Sequence, residues 1–493
     1  MKTKLIKLIK NELIKIFKRK SIYILLLLSL IAVIRHNYSN PDQNPEYKVS
    51  TSKLPIMQLE EETIENVKIN LKRKKHNDFA EIYNKYDKNS WQRYALNEEQ
   101  QSLMINNKSM NFNHDIQDKL EIINEYELNL NLETTVEDYK KAKIKIAEYI
   151  KALDSDNWQE YTKLKIKNLT EIKKEASILE EDIKEINLEI EAYQMRLDYN
   201  ISYANDMLNQ YIEIYRKETF RSIYYEDSDE NYYMKCRAKS ELARYAIENK
   251  IEQDISPEKF NLILNNKVDA RISFVRTFEY FNIFVVIIGI YIATTILTEE
   301  TNKGTIKSLL TKPHKRSTIL ISKILACVIT IIITMIFLIV AQYIVGGITF
   351  GFDSYGLNYI GYDYNSEQIV NLNLFIYVIL VAVSKLPIYI IIILFCIFMG
   401  TINNHTSMTM ILTLIIFSIC STVISEWSKL EKVGNLTKYL ITNNWDFSTY
   451  LFGQSSNIEG INFGFSVFIY LIYVIFLLSI LINKFNKKEI NKV

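Results

Sequence analysis

Residues 324–345 read ILACVITIIITMIFLIVAQYIV, a stretch of twenty-two residues without one charge. At 1.5 Å of rise per residue a helix of that length covers about 33 Å, close to the ~30 Å hydrocarbon core of a bilayer. It is apolar on every side, so it has no face to offer to water. Three other uncharged runs resemble it: Phe281–Leu297, Met408–Ile424 and Phe465–Ile482. A fifth, Leu374–Met399, is interrupted by Lys385 and Pro387. The first run, Ser21–Ile34, has only 14 residues, but Lys20 and Arg35 flank it and can snorkel to lengthen it. No Ala-x-Ala cleavage site follows Ile34, so this run reads as an uncleaved span rather than a signal peptide.

Working outward, the average composition of 493 residues hides two unlike materials. The chain is 48% hydrophobic and 24% charged, with a mean hydropathy of −0.03. That mean blends the apolar runs with a charged middle of about 240 residues, a pattern typical of membrane proteins. The net charge is only +2 and no basic patch is interleaved with aromatic residues, which argues against a nucleic-acid partner. Cys327, Cys396 and Cys420 lie in apolar runs and only Cys236 lies in the middle, so no disulfide framework can hold that middle together. The five histidines (36, 76, 114, 314 and 405) lack ligand spacing, and no metal site is expected.

Basic residues orient the spans. With the N-terminus inside, segments 1–20, 298–323 and 483–493 carry 8, 6 and 4 Lys and Arg, against 0 and 3 in the loops 346–371 and 425–463. This obeys the positive-inside rule. The expected organisation is an all-α membrane protein with six transmembrane helices: a cytoplasmic amphipathic helix over 1–20, then spans at 21–35, 278–297, 324–345, 372–400, 407–424 and 464–482. Segment 36–277 is an extracellular helical domain, 298–323 a cytoplasmic loop, 346–371 and 425–463 extracellular, and 483–493 a cytoplasmic tail. In 1–20, Leu5, Ile9, Leu13, Ile16 and Phe17 share one helical face while Lys4, Lys7, Lys15 and Lys18 lie largely elsewhere, the signature of an interfacial helix that meets membrane lipids.

Within the middle, Leu169, Ile172, Ala176, Leu179, Ile183, Ile186, Ile190, Tyr193 and Leu197 recur at steps of 3 and 4, a coiled-coil seam. After a stutter at Ile201 the pattern resumes at Ala204, Leu208, Tyr211 and Tyr215, which predicts one helix from Trp158 to Phe220. A preceding helix opens at Thr134 or Thr135, with Thr134-x-x-Glu137 as its capping box, and residues 153–157 make the hairpin turn. Such a rod serves either as a stalk or dimer contact, or as a substrate-receiving or partner-sensing domain. Ser256-Pro257-Glu258 reads as the start of a helix that runs into the second span.

The loop 298–323 carries the functional reading. Gly304 breaks the helix leaving the second span, Thr305 can cap a short helix whose apolar face is Ile306, Leu309 and Leu310, and Pro313 stops it; Ser317 then caps the third span. A short amphipathic helix between two spans suits docking into a groove on another protein. Glu299 and Glu300, Gly304-Thr305, Leu309-Leu310, Pro313 and Arg316 stand in an order that resembles the first cytoplasmic loop of type-2 ABC exporter permeases. The six-span order, the N-terminal amphipathic helix and the long 425–463 segment also resemble that family, whereas 36–277 has no counterpart in most members. The resemblance implies a permease that pairs with a second copy or a paralogue and is driven by two ATPase subunits docking on these residues. ATP would sit on those partners, since this chain has no Gly-x-x-x-x-Gly-Lys-[Ser/Thr] loop and no cofactor of its own. It further implies an exported substrate that is amphipathic or hydrophobic, such as an antimicrobial peptide, lipid or drug.

Lys385 costs ~2.5–3.5 kcal/mol inside a span and so marks either a substrate path or, if the span starts late, the membrane interface. Thr294, Thr295, Thr330, Thr334 and Gln342 read as helix-packing hydrogen bonders. The alternative class is a non-transporting membrane receptor or secretion-accessory scaffold with a large outer domain.

Overall fold

The computed structural model describes residues 2–39, 64–105, 115–127, 135–174, 180–225, 230–252, 270–302, 315–403, 405–427, 436–454, 456, 458 and 460–487. Two compact units emerge. One holds 1–43, 256–261 and 266–493, the other 44–255 with 262–265.

In the first unit an amphipathic helix α1 (Lys2–Phe17) turns at Lys18 and Arg19 into α2 (Lys20–Ser39). After eight helices of the other unit, α3 to α10 (between Ile64 and Glu248), come α11 (Ala270–Val275), α12 (Thr277–Tyr280), α13 (Asn282–Asn302), α14 (Arg316–Phe350), α15 (Leu374–Ile402), α16 (Thr406–Trp427) and α17 (Phe463–Lys487). Five helices are long and apolar enough to cross a membrane: Lys20–Tyr38, Asn282–Asn302, Arg316–Phe350, Leu374–Ile402 and Phe463–Lys487. This is the architecture of a helical membrane protein. The remaining expected span, 407–424, does form a helix in α16, of which Thr406–Phe417 counts as a shorter apolar helix among the described residues.

Three details depart from the sequence reading. The third span is 35 residues long rather than 22, because Arg316–Lys323 at its start and Gly346–Phe350 at its end are also helical; its N-cap is Lys315, not Ser317. The entry to the second span is broken into α11 and α12, where Arg276 and Phe281 leave helical geometry. There Phe274 is held edge-on by Tyr343, Tyr355 and Phe375, and Thr277 Oγ1 donates to Phe274 O at 2.6 Å. Ser256, Pro257 and Glu258 lie outside the described residues.

The third departure is that the unit is not purely α. Strands β1 (Tyr359–Asp363) and β2 (Gln368–Leu372) form an antiparallel hairpin with Tyr359 opposite Leu372. Tyrosine and β-branched residues suit a pleated half-buried surface, and Tyr359 stacks on Tyr377 of α15 at 3.6 Å. A 3₁₀ turn at Phe447–Gly453 joins the same layer: Phe452 stacks on Tyr359 and Tyr377, and Tyr364 N donates to Phe452 O at 2.8 Å. Gly453 is required there, at φ +72° and with a Cβ position only 2.6 Å from the Asn365 side chain.

The second unit is a helical bundle: α3 (Ile64–Asn84), α4 (Trp91–Ile105), α5 (Asp115–Glu127), α6 (Val136–Asp154), α7 (Trp158–Ile172), α8 (Glu180–Asp198), α9 (Asp206–Tyr225) and α10 (Glu230–Glu248). Thr135 caps α6, and Asp138 completes the capping box one residue later than the sequence suggested. The turn at 153–157 forms as expected, with Asn157 capping α7.

The continuous helix from Trp158 to Phe220 does not form. The chain breaks at Tyr199–Asn205, where Asn200 takes φ +54° and Ile201 N closes back onto Arg196 O at 2.9 Å, a Schellman ending. What reads as a stutter is therefore a helix end, and Ala204 is exposed in the turn. Leu169, Ile186 and Tyr193 are nonetheless buried together, with Ile166, Ile172 and Ile190 against them, so the seam serves a bundle. Ala176 and Leu179 lie outside the described residues.

Candidate functional site

The helix ends that frame residues 303–314 meet in a cluster of charges. Segment 1–20 contains a single acid, Glu12, among eight bases, and it lies on the apolar face with Ile9, Leu13 and Ile16. An unpartnered carboxylate there would be expensive to bury. Glu12 is 3% exposed, and its Oε2 receives a hydrogen bond from Lys323 Nζ at 3.0 Å. Lys323 lies two turns into α14, is 1% exposed, and also meets Glu300 Oε2 at 2.7 Å and Ile296 O at 3.3 Å. Lys15 closes the ring, donating to Glu12 Oε1 at 2.9 Å and to Glu300 Oε1 at 2.7 Å.

Arg19, at the corner between α1 and α2, extends the cluster. Its guanidinium donates to the Thr295 hydroxyl and to Thr295 O at 3.4 Å, and lies 3.4 Å from Glu299 Oε2. Glu12, Glu299 and Glu300 thus balance Lys15, Arg19 and Lys323. Burial alone would lower the Lys15 ammonium, but hydrogen bonds to Glu300 and Glu12 outweigh it and raise the pKa. Because removing one member of a buried pair strands the other, this cluster fixes the register of α1 against α13 and α14.

The candidate residues divide accordingly. Glu299 and Glu300 sit in the last turn of α13, paired with α1 and α14. Arg316 is the first residue of α14 and donates to Asn486 O near the end of α17 at 2.9 Å, so the loop's far end is tied as well. Gly304, Thr305, Ile306, Leu309, Leu310 and Pro313 lie outside the described residues. Glu12, Lys15, Arg19 and Lys323 were missed as site residues. The signal for Glu12 was available, as the one acid on the apolar face; Lys323 read only as one more basic residue of the loop.

Helix packing around the cluster is close. Thr298 Oγ1 and Thr406 Oγ1 are 2.7 Å apart across α13 and α16, and a Cβ on Gly400 would come within 3.3 Å of Thr298. Toward the far end of the spans, Asn37 and Gln342 exchange two amide hydrogen bonds, 3.1 and 3.0 Å, between α2 and α14.

Lys385 has a partner from a segment distant in sequence: its Nζ donates to Asp446 Oδ2 at 3.0 Å. Asp446 Oδ1 also accepts from Ser448 N at 3.0 Å and Ser448 Oγ at 2.6 Å, capping the 3₁₀ turn. Among the described residues no group of three or more His, Cys, Asp or Glu is arranged to hold a metal ion.

The sequence model of a family described as "Protein of unknown function (DUF2705)" matches residues 253–491, which take in α11–α17. No curated protein and no solved structure matches the chain.

Proposed function

We propose that the chain is the membrane-spanning subunit of an ABC exporter, moving an amphipathic or hydrophobic substrate (an antimicrobial peptide, lipid or drug) across the plasma membrane. Two separate ATPase subunits bind ATP and dock on the 298–323 segment, and a second permease copy or paralogue completes the dimer. Both termini are cytoplasmic. The observation that carries this reading is the charge cluster: both roots of a loop resembling a coupling helix are held, one by Glu299 and Glu300, the other by Lys323 and Arg316. A push on the loop then shifts α1, α13 and α14 together. Closed ATPases would favour one arrangement of the spans over another, and a rigid root is what such a population shift requires.

The test is docking. Leu309→Asp and Leu310→Asp each place a charge on the apolar face that the sequence predicts for a short helix, where a closing partner must desolvate it. Co-purification of the ATPase and its stimulated turnover in nanodiscs are expected to vanish, while Lys307→Ala, a peripheral charge, retains both. Full co-purification and turnover in the Asp variants would favour the non-transporting scaffold instead. Topology is tested with cysteines at positions 228 and 303, labelled respectively from outside and only after lysis. Native Cys236 is no probe: it is 2% exposed, and burial, then Glu218, push its thiol up to about 11.

A further inference from the structure

Lys385 lies eleven residues from the start of α15 and seventeen from its end, about 16 Å along the helix. Every other charge on the five long spans is nearer to a helix end. Its ammonium has three donors and, among the described residues, one acceptor, Asp446 Oδ2. Asp446 does not depend on Lys385 alone, because its other oxygen is held by Ser448. The pair is only partly covered, with side-chain exposures of 14% for Lys385 and 29% for Asp446. Directly after Asp446, Phe447 packs edge-on against Phe463 and Tyr470, and Tyr450 packs against Phe463, which is 53% exposed. A partly covered cation beside aromatic rings, of which Phe463 is exposed, is the complement of an amphiphile with an acidic head.

We propose that Lys385 binds the carboxylate or phosphate head of an amphipathic molecule, with Asp446 as the internal anion that the ligand displaces and Phe447, Tyr450 and Phe463 receiving its apolar body. This deepens the transport reading and rests on it for its physiological sense. In the resting protein Asp446 spares Lys385 the cost of an unpaired charge. An incoming anion takes over that contact while Asp446 keeps its hydrogen bonds from Ser448. A purely structural ion pair and an exchange site then differ in sign. Removing either partner of a structural pair harms in the same direction, whereas removing the internal competitor of an exchange site strengthens binding.

The experiment uses the full chain in a neutral detergent with a dansyl-labelled undecanoate as probe and its methyl ester as the neutral control. Wild type is expected to bind the acid and to bind the ester more weakly. Lys385→Gln should weaken the acid by about tenfold or more, as loss of a charge-assisted contact implies. Lys385→Arg should retain binding, which separates loss of charge from loss of fold. Asp446→Asn should tighten binding severalfold. The proposal is overturned if Lys385→Gln and Asp446→Asn move affinity in the same direction, if acid and ester bind wild type equally, or if inorganic phosphate displaces the probe as well as undecanoate does. No ATPase is present in this assay, so its failure leaves the docking test above untouched, and failure of docking leaves this one untouched.

Discussion

Buried charges hold both units of this molecule, but on different plans. In the helical unit, Arg196 is 1% exposed; its guanidinium donates to Glu98 Oε1 at 2.7 Å and to Asn209, and lies 3.8 Å from the Tyr203 ring. Arg216 meets Glu189 at 2.6 Å and Glu213 at 2.8 Å. Most of these partners lie on α8, α9 and the turn between them. In the span unit the cluster joins residues 12, 15 and 19 to residues 295–323. The first network shapes a turn and a local bundle; the second ties a terminal helix to elements almost 300 residues away. Similar chemistry stabilises a domain in one place and couples distant helices in the other.

The largest effect that could break this contrast comes from Arg196→Met, which strands Glu98 and is expected to cost about 3–5 kcal/mol. Hydrogen exchange on the full chain should speed up in α8 and α9 and leave α1 unchanged. Lys323→Met should do the converse, exposing α1 amides, at about 3 kcal/mol because Lys15 still pairs with both acids. If either variant loosens the other unit equally, the two networks are not independent.

A second test uses pH. Burial, reinforced by Glu213 and opposed by Arg196 and Arg216, pushes the Glu98 carboxyl up to about 7. A group whose pKa rises on folding gives its stability below the unfolded value, near 4.5, and loses it as pH climbs through about 7. The helical unit should therefore melt at higher temperature at pH 5.5 than at pH 8, and Glu98→Gln should flatten that dependence. Glu127 and Asp154, whose pKa values are lowered, add stability that disappears only below about pH 4 and so do not mask the window. A midpoint that rises from pH 5.5 to 8 would contradict the assignment. The smallest expected effect is Thr135→Ala, about 1 kcal/mol from the lost cap, seen as faster exchange confined to the first turn of α6.

The spans were legible because their signal is local: a run of some twenty apolar residues has few alternatives to a membrane helix. Helix α1 was legible from its periodicity, and so was the 153–157 turn from its Asp, Ser and Asn. The coiled-coil rod failed for a related reason. A 3,4 repeat reports that a face is buried but not against what, and Asn200 in the left-handed region ends the helix while leaving only a stutter in the count. The hairpin was hidden because its strands are five residues each and gain their order from Tyr377 on the next helix and from Phe452, far away in the chain.

The chain alone dictates where apolar length and capping residues put helices, since both depend on neighbours within a few turns. It also marks Glu12 and Lys385 as charges in the wrong surroundings. Which charges answer them, Lys323 for the one and Asp446 for the other, is decided only by tertiary packing. Coulomb attraction falls with distance in space, not along the sequence, and those partners lie 311 and 61 residues away.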